Sequence, residues 1–242
     1  GSEMCIRDRM EQMEATIDEL KTAELEVLDK IKTLSNKELD KIKGIFSSVN
    51  VALKRKNMYF NAMANSKRKD SKGGPYVPLK IKLDDPRIED KVSAIFKSVD
   101  DIEYYREVML SVPLGKPVWS YWVTSRYGTR SDPFKKTKAR HKGVDLASRT
   151  GNKVNVKGQG KVIRAEYAGA YGNLVVVDHG NGFQTKYAHL NKIYVKKGDR
   201  LEINDTVGEV GSTGRSTGPH LHYEVLYKGV NVDPLPFLKA KI

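Results

Sequence analysis

Cysteine is almost missing: the 242 residues contain a single one, Cys5. A closed structural zinc site built on several thiolates is therefore excluded. Nor is any run of apolar residues long enough to span a bilayer. No recognised nucleic-acid-binding motif accompanies the basic residues, which demotes DNA or RNA as a partner. Acidic residues are outnumbered, 30 Asp and Glu against 43 Lys and Arg, giving a formal charge of +13 and a pI near 9.6. The balance favours an anionic partner such as an acidic membrane face or a cell-wall polymer.

The first nine residues, Gly1-Ser-Glu-Met-Cys-Ile-Arg-Asp-Arg9, resemble the translation of a transposase adapter used in making sequencing libraries. Genuine coding sequence is expected from about Met10, with any signal peptide or membrane anchor lost ahead of it. Cys5 then says nothing about redox compartment. A cysteine-free remainder is compatible with the periplasm without requiring it.

At this length the chain holds one large domain or two small ones. From Met10 to about Asn65, apolar residues recur at steps of three and four through Met13, Ile17, Leu20, Val27, Ile31, Leu34, Ile42, Ile45, Val49 and Leu53, predicting a long helix with a narrow, coiled-coil-like stripe. Glu24, Glu38 and Gly44 interrupt it. Ser66 to Pro75 is charged and turn-rich, placing a loop over 66–85. Asp85 and Pro86 make a helix start as cap and first residue. Ile88, Val92, Ile95, Val99, Ile102 and Met109 mark one face of this second helix, and Val112-Pro113 ends it. Being shorter, it is expected to fold back antiparallel on the first, so that 10–112 forms a helical hairpin or coiled coil with part of the long helix free for another chain. From Pro113 glycine and β-branched residues become frequent, with alternating runs at 153–156, 161–165 and 174–177. Trp119, Tyr121 and Val123 suggest an opening strand. The fold class is thus α+β and multidomain, the segment 113–242 being β-rich.

All five histidines fall between His141 and His222. His141 and Asp145 are four apart, and Gly143 with β-branched Val144 makes a helix there unfavourable. An extended segment or its end, where even separations share a face, brings the pair together. His220, Leu221 and His222 alternate ahead of Tyr223, Glu224 and Val225 as a strand does, so both imidazoles face a cleft while Leu221 faces the core. Two imidazoles and a carboxylate suit a borderline divalent cation, and three protein ligands plus water describe a catalytic rather than a structural zinc site. Spacing does not say which histidine of His-Leu-His binds the metal. His179 reads as structural, at a strand end. The stretch Gly211 to Gly218 imitates a phosphate loop, but Gly214-Arg215-Ser216 has Glu209 five positions back where a glycine is needed, so a nucleotide site is rejected. Its glycines instead suggest a mobile turn bringing the His220 strand against the cleft.

Taken as an ordered set, Ser125-Arg-Tyr-Gly-Thr-Arg130, His141-x-x-x-Asp145-Leu-Ala, Tyr187-Ala-His-Leu190 and Gly211 through His220-Leu-His-Tyr-Glu224 resemble the signature of the lysostaphin/LytM family of zinc endopeptidases. The resemblance covers about Pro113 to Leu238. It implies a mainly antiparallel β peptidase domain, with zinc held by His141, Asp145 and His222. His220 would be the catalytic base and His189 the partner stabilising the tetrahedral intermediate, with the two roles exchangeable. Tyr127, Arg130, Ser216 and Thr217 would lie against substrate. No glutamate sits inside a His-Glu-x-x-His, so the histidine pair must supply the base.

Family members hydrolyse peptide bridges of peptidoglycan. The helices ahead of the domain and the Asp233-Pro-Leu-Pro-Phe237 tail resemble Gram-negative envelope members, favouring the D-alanyl-diaminopimelate cross-link and a periplasmic or envelope location, anchored in the inner membrane in the full-length protein. The helices would meet other envelope or division proteins. A competing reading is a non-hydrolytic envelope protein that activates a cell-wall amidase through its coiled coil; relatives of that kind lack the metal residues, all of which are present here.

Overall fold

The structure is a computed structural model that describes residues 2–54, 85–131 and 138–240. It divides into two compact units, one of Gly1–Ile42 and Arg68–Tyr105, the other of Lys43–Lys67 and Arg106–Ile242. The helices are α1 (Ser2–Lys54) and α2 (Pro86–Ser111). The strands follow as β1 (Trp122–Ser125), β2 (Gly128–Ser131), β3 (Lys138–His141), β4 (Val144–Ala147), β5 (Lys153–Asn155), β6 (Gly160–Tyr167), β7 (Asn173–Gly180), β8 (Phe183–Ile193), β9 (Arg200–Leu201), β10 (Thr206–Val210), β11 (His220–Tyr227) and β12 (Val230–Val232), closed by the short helix α3 (Leu235–Lys239). Among the described residues no helix is long and apolar enough to cross a membrane.

Helix α2 begins where the Asp-Pro pair places it. Asp85 Oδ1 accepts the Arg87 backbone N–H at 2.9 Å, and the Asp85 carbonyl accepts from Ile88 and Glu89, both at 3.1 Å. The pairing of the two helices differs from the expected antiparallel hairpin. Lys91 Nζ contacts Asp29 Oδ1, and Ser98 Oγ lies 3.5 Å from Asn36 Oδ1, each pair 62 residues apart. A constant separation means that the helices run in the same direction. The physical reason is reach: about thirty residues separate the helices and can extend some 100 Å, whereas returning by half the length of α1 needs only about 40 Å. A tight turn is not imposed. Residues 66–84 of the loop predicted over 66–85, and the end of the first helix beyond Lys54, lie outside the described residues.

The apolar stripe of α1 also divides. Leu39, Ile42, Phe46, Val49 and Leu53 are buried, whereas Met10, Met13, Ile17, Leu20, Val27, Ile31 and Leu34 are exposed. Both runs keep the three-four step, so periodicity alone could not separate the covered part from the bare one.

In the second unit ten strands form one sheet with the backbone order β1-β4-β11-β8-β7-β6-β9, to which β5, β10 and β12 attach, and every pairing is antiparallel. The opening strand begins at Trp122, three residues later than the alternation from Trp119 suggests. Central β11 buries Leu221, Tyr223 and Val225 completely, against Leu146 of β4 and Tyr187 of β8. Phe183, Tyr227 and Phe237 form an aromatic cluster, with Phe183 4.8 Å from Tyr227 and 6.1 Å from Phe237 between ring centres. Leu221 fills the core because its neighbours His220 and His222 point the other way, as strand alternation requires.

Candidate metal centre

Three strands bring three donors to one point. His141 ends β3, Asp145 is the second residue of β4, and His222 of β11 lies directly opposite Asp145 in register. Between β3 and β4 the chain crosses so close to β11 that a Cβ on Gly143 would stand 2.3 Å from the Tyr223 carbonyl oxygen and 2.9 Å from its carbon. Only glycine fits. Gly143→Ala must push backbone against backbone, and we expect it to cost about 2–3 kcal/mol of stability and to lower the melting temperature measured by circular dichroism.

The donor atoms His141 Nε2, Asp145 Oδ1 and His222 Nδ1 lie 3.1, 2.8 and 3.1 Å apart pairwise, and all three residues are buried. Their outer partners fix which ring nitrogen carries hydrogen. His141 Nδ1 is 2.9 Å from the Arg126 carbonyl, which can only accept, so Nδ1 donates and the neutral ring presents a lone pair at Nε2. His222 Nε2 is 3.1 Å from Glu224 Oε1. The Glu224 carboxyl is opposed by burial, yet its bond to His222 and the charges of His222 and Lys186 hold it down at about 2, so it too accepts. With both rings neutral, three lone pairs then aim at a common point, an arrangement that repels itself unless a cation sits between them. Ligands about 2.0–2.1 Å from a tetrahedral ion stand roughly 3.3 Å from one another, close to the spacing found. The donor set fits a divalent metal ion.

Without a cation a proton takes its place. Although burial opposes it, the carboxylates of Asp145 and Glu224 raise the His222 pKa above its usual value of 6.5. Asp145 is desolvated too, but hydrogen bonds from His141 and His222 hold its carboxyl well below the ordinary range. A metal must therefore expel the His222 proton. Affinity is expected to rise with pH until the medium passes that raised pKa, with a proton released per ion. Calorimetry in buffers of different ionisation enthalpy reads this directly; binding without proton release would contradict it.

Two further imidazoles flank the centre. His220 Nδ1 donates to the Gly218 carbonyl at 2.8 Å, leaving Nε2 toward the donors, 3.7 Å from Asp145 Oδ1. His189 Nδ1 donates to the Thr213 carbonyl at 2.8 Å, and its ring centre is 4.8 Å from that of His220. Alternation alone would point His189 away, because its neighbour Ala188 is the residue paired with His222. The pairing of β8 with β7 and β10 shifts register here, and His189 adopts a positive φ of 60°, so a bulge turns the ring into the cleft. Burial and the neighbouring imidazoles, outweighing the Thr213 bond, lower its pKa to about 4. Both flanking rings therefore offer Nε2 as an acceptor when neutral, and His189 can donate to an oxyanion only after taking a proton.

Glu224, quoted above within a motif but given no role there, belongs to the site. It is fully buried and binds His222 Nε2, Tyr171 Oη at 2.9 Å, Asn231 Nδ2 at 2.8 Å and Lys186 Nζ at 3.1 Å. Its position two residues beyond His222 on the same strand face was the available signal. By fixing the tautomer of His222 it prepares a ligand. Glu224→Gln is expected to weaken metal affinity about 10- to 100-fold, read by competition with a chromogenic chelator.

A cleft of about 380 Å³ opens over the donors and includes Ser216 and Thr217 in its lining. Ser216 Oγ donates to the Gly218 carbonyl at 2.8 Å and lies 3.2 Å from His220 Nδ1, so it braces His220. Tyr127 departs from the expected substrate contact. It is not part of the cleft lining, and its hydroxyl donates to the Asn231 carbonyl at 2.8 Å while accepting from Arg140 at 3.1 Å. Arg130 sits on β2 opposite Ala139, its side chain outside the described part. His179 is structural as read: Nδ1 lies 2.9 Å from the Gln159 carbonyl, Nε2 2.7 Å from Thr185 Oγ1, and burial lowers its pKa.

The loop from Gly211 to Gly218 is pinned rather than the mobile turn expected. Thr213 Oγ1 donates to the Leu190 carbonyl at 2.8 Å and accepts the Asn173 N–H at 3.0 Å, and Arg215 N donates to the Ala170 carbonyl at 3.0 Å. A Cβ on Gly214 would stand 2.3 Å from Gly172 N. Here glycine serves both close approach and the positive φ of 70° that the turn adopts at Gly214.

The arrangement is that of a mononuclear metal centre with two spare imidazoles, carried on an antiparallel sheet. Residues 139–234 match Peptidase family M23. Peptidoglycan DD-endopeptidase ShyA of Vibrio cholerae is 41% identical over 128 residues, 52% of this chain and 29% of that protein. DD-carboxypeptidase/endopeptidase Mpg of Neisseria meningitidis is 40% identical over 113 residues, 47% of this chain and 26% of that protein. The chain thus spans less than a third of these curated relatives. The solved catalytic domain of the antimicrobial peptidase lysostaphin from Staphylococcus simulans is 32% identical, with a TM-score of 0.46 over 49% of this chain and 92% of that one. The segment 139–234 is thus a domain of peptidase family M23.

Proposed function

We propose that this chain is a zinc-dependent endopeptidase that hydrolyses peptide cross-links of peptidoglycan, the D-alanyl-diaminopimelate bond being the favoured target. The observation that carries the reading is the convergence of three lone pairs, from His141, Asp145 and His222, beneath an open cleft beside the acceptor atoms of His189 and His220. Two imidazoles and a carboxylate suit zinc among the divalent ions. Bound there, zinc would supply Lewis acidity toward the peptide carbonyl and lower the pKa of water.

The remaining work belongs to the chain. His220 Nε2 takes a proton from the attacking water, its orientation set by the Gly218 carbonyl and Ser216, and delivers it to the leaving amine. His189, whose neutral ring presents only a lone pair at Nε2, takes up the second proton of the attacking water and then donates it toward the charge on the former carbonyl oxygen. Arg140, Lys142 and Arg215 give the cleft a cationic edge, which suits a peptide bearing free carboxylates.

An amidase-activating, non-hydrolytic role is disfavoured because the donor set is complete. Action on peptidoglycan would place the protein in the periplasm or envelope, with an anchor in the full-length chain as a further part of the proposal. The exposed stripe of α1 supports a helical partner. The test is digestion of purified sacculi with the zinc-loaded protein and mass analysis of the products. Cross-linked dimers should be converted to monomers, and a chelator should stop the conversion. Undiminished dimers together with stimulation of an added amidase would favour the other role.

A further inference from the structure

The chain contains two tryptophans, and both stand in solvent: Trp119 is 94% exposed and Trp122 67%. Trp122 opens β1, whose pairing among the described residues is with β4 alone, so the strand forms the edge of the sheet beside the metal centre. Register places it further. Trp122 pairs with Ala147, and Ala147 pairs on its other side with His220. Side chains directly opposite one another across antiparallel strands share a face. Trp122, Ala147 and His220 therefore form one row on the side of the sheet that carries the site, while Val123 and its partner Leu146 take the opposite side, Leu146 fully buried. Two strand spacings put Trp122 about 10 Å from His220, with nothing taller than a methyl group between them.

The backbone under the indole is held. Val118 is buried, Asn155 N donates to the Pro117 carbonyl at 2.8 Å, and Ser148 Oγ donates to the Ser120 carbonyl at 2.7 Å. A large aromatic surface held in water adds nothing to the core, and an indole, apolar on its faces and polar at one edge, is suited to contact with a partner. Its neighbours on that face, Ala147 and Thr124, are small or polar, so among the described residues of β1, β4 and β11 the indole is the one large exposed apolar group on that face. A flat ring on a polar floor suits a ligand with one apolar face and a polar rim, which is the character of a pyranose.

We infer that Trp122 stacks against a sugar ring of the glycan to which the substrate peptide is attached, and so favours glycan-bound over free peptide. This rests on the proposed endopeptidase reading. At about 3.3–3.6 Å per extended residue, three residues of stem bridge the distance from His220 to the indole, so a single substrate reaches both.

Trp119→Phe leaves Trp122 as the sole indole, and its fluorescence reports sugar binding without any turnover. Titration with peptide-free glycan strands should shift the emission to the blue and saturate; an unchanged spectrum would overturn the inference. Trp122→Ala should then raise KM about three- to tenfold on glycan-bearing cross-linked fragments while kcat stays unchanged. Trp122→Phe should restore most of the loss, and glycan-free cross-linked peptide should be cleaved equally by all three proteins. Equal loss on both substrates would make the indole a peptide contact, and no loss on either would remove it from the site; each result overturns the assignment. If the wild type cleaves neither substrate, the endopeptidase reading fails, and the fluorescence titration still decides the sugar contact.

Discussion

Asp145→Ala and His222→Ala are each expected to abolish stoichiometric metal binding and to lower cross-link cleavage by about a thousandfold or more, since the Lewis acid and the acidified water leave together. The size of the effect follows from geometry. Asp145 Oδ1 is the shared partner of both ligand imidazoles, 3.1 Å from His141 and 2.8 Å from His222. Removing it leaves two ring lone pairs facing each other with a single negative charge gone. Loss of His222 also takes one of its four partners from Glu224, a fully buried carboxylate that then rests on Tyr171, Asn231 and Lys186 alone. His222→Ala should therefore lose more stability than His220→Ala, and thermal melting of the two metal-free proteins compares them. Metal content by mass spectrometry separates loss of the ion from loss of the fold.

His220→Ala should give the opposite split. Zinc stays, because His220 is held by the Gly218 carbonyl and not needed by the donor triad, yet turnover falls about a hundred- to ten-thousandfold. His189→Ala should also retain metal and lose turnover. A His220→Ala protein with full activity would move the base to His189, and the lowered pKa of His189, about 4, is compatible with a neutral acceptor at that position. Zinc lost from the His220 variant and kept in the His222 variant would reverse the ligand assignment.

What could be read from residues alone follows the physics of each element. Alternation of His220, Leu221 and His222 fixed a strand with two rings on one face, because side-chain direction in a strand has a period of two. The pairing of His141 with Asp145 was readable for a related reason, an extended segment broken at Gly143. His189 was not, since a bulge with positive φ reverses the direction alternation assigns. The resemblance supplied its role, and only the register shift in β8 explains it. Glu224 was open to the same period-two reasoning as His222. Tyr127 escaped it because its partner, Asn231, is 104 residues away.

The helices show a different limit. Steps of three and four identify a helix and its apolar stripe, but they are the same whether a neighbour covers the stripe or leaves it bare. Direction is hidden as well: a short loop forces antiparallel neighbours, whereas the long connection before Asp85 permits the parallel pairing seen through Lys91 and Ser98.

The most direct measurement is anomalous diffraction at the zinc edge from crystals of the zinc-loaded protein. A single strong peak about 2.0–2.2 Å from His141 Nε2, Asp145 Oδ1 and His222 Nδ1, with the fourth position facing the cleft and free of protein side chains, is the result the account predicts. A peak elsewhere, or a fourth side chain closing the coordination sphere, would contradict it.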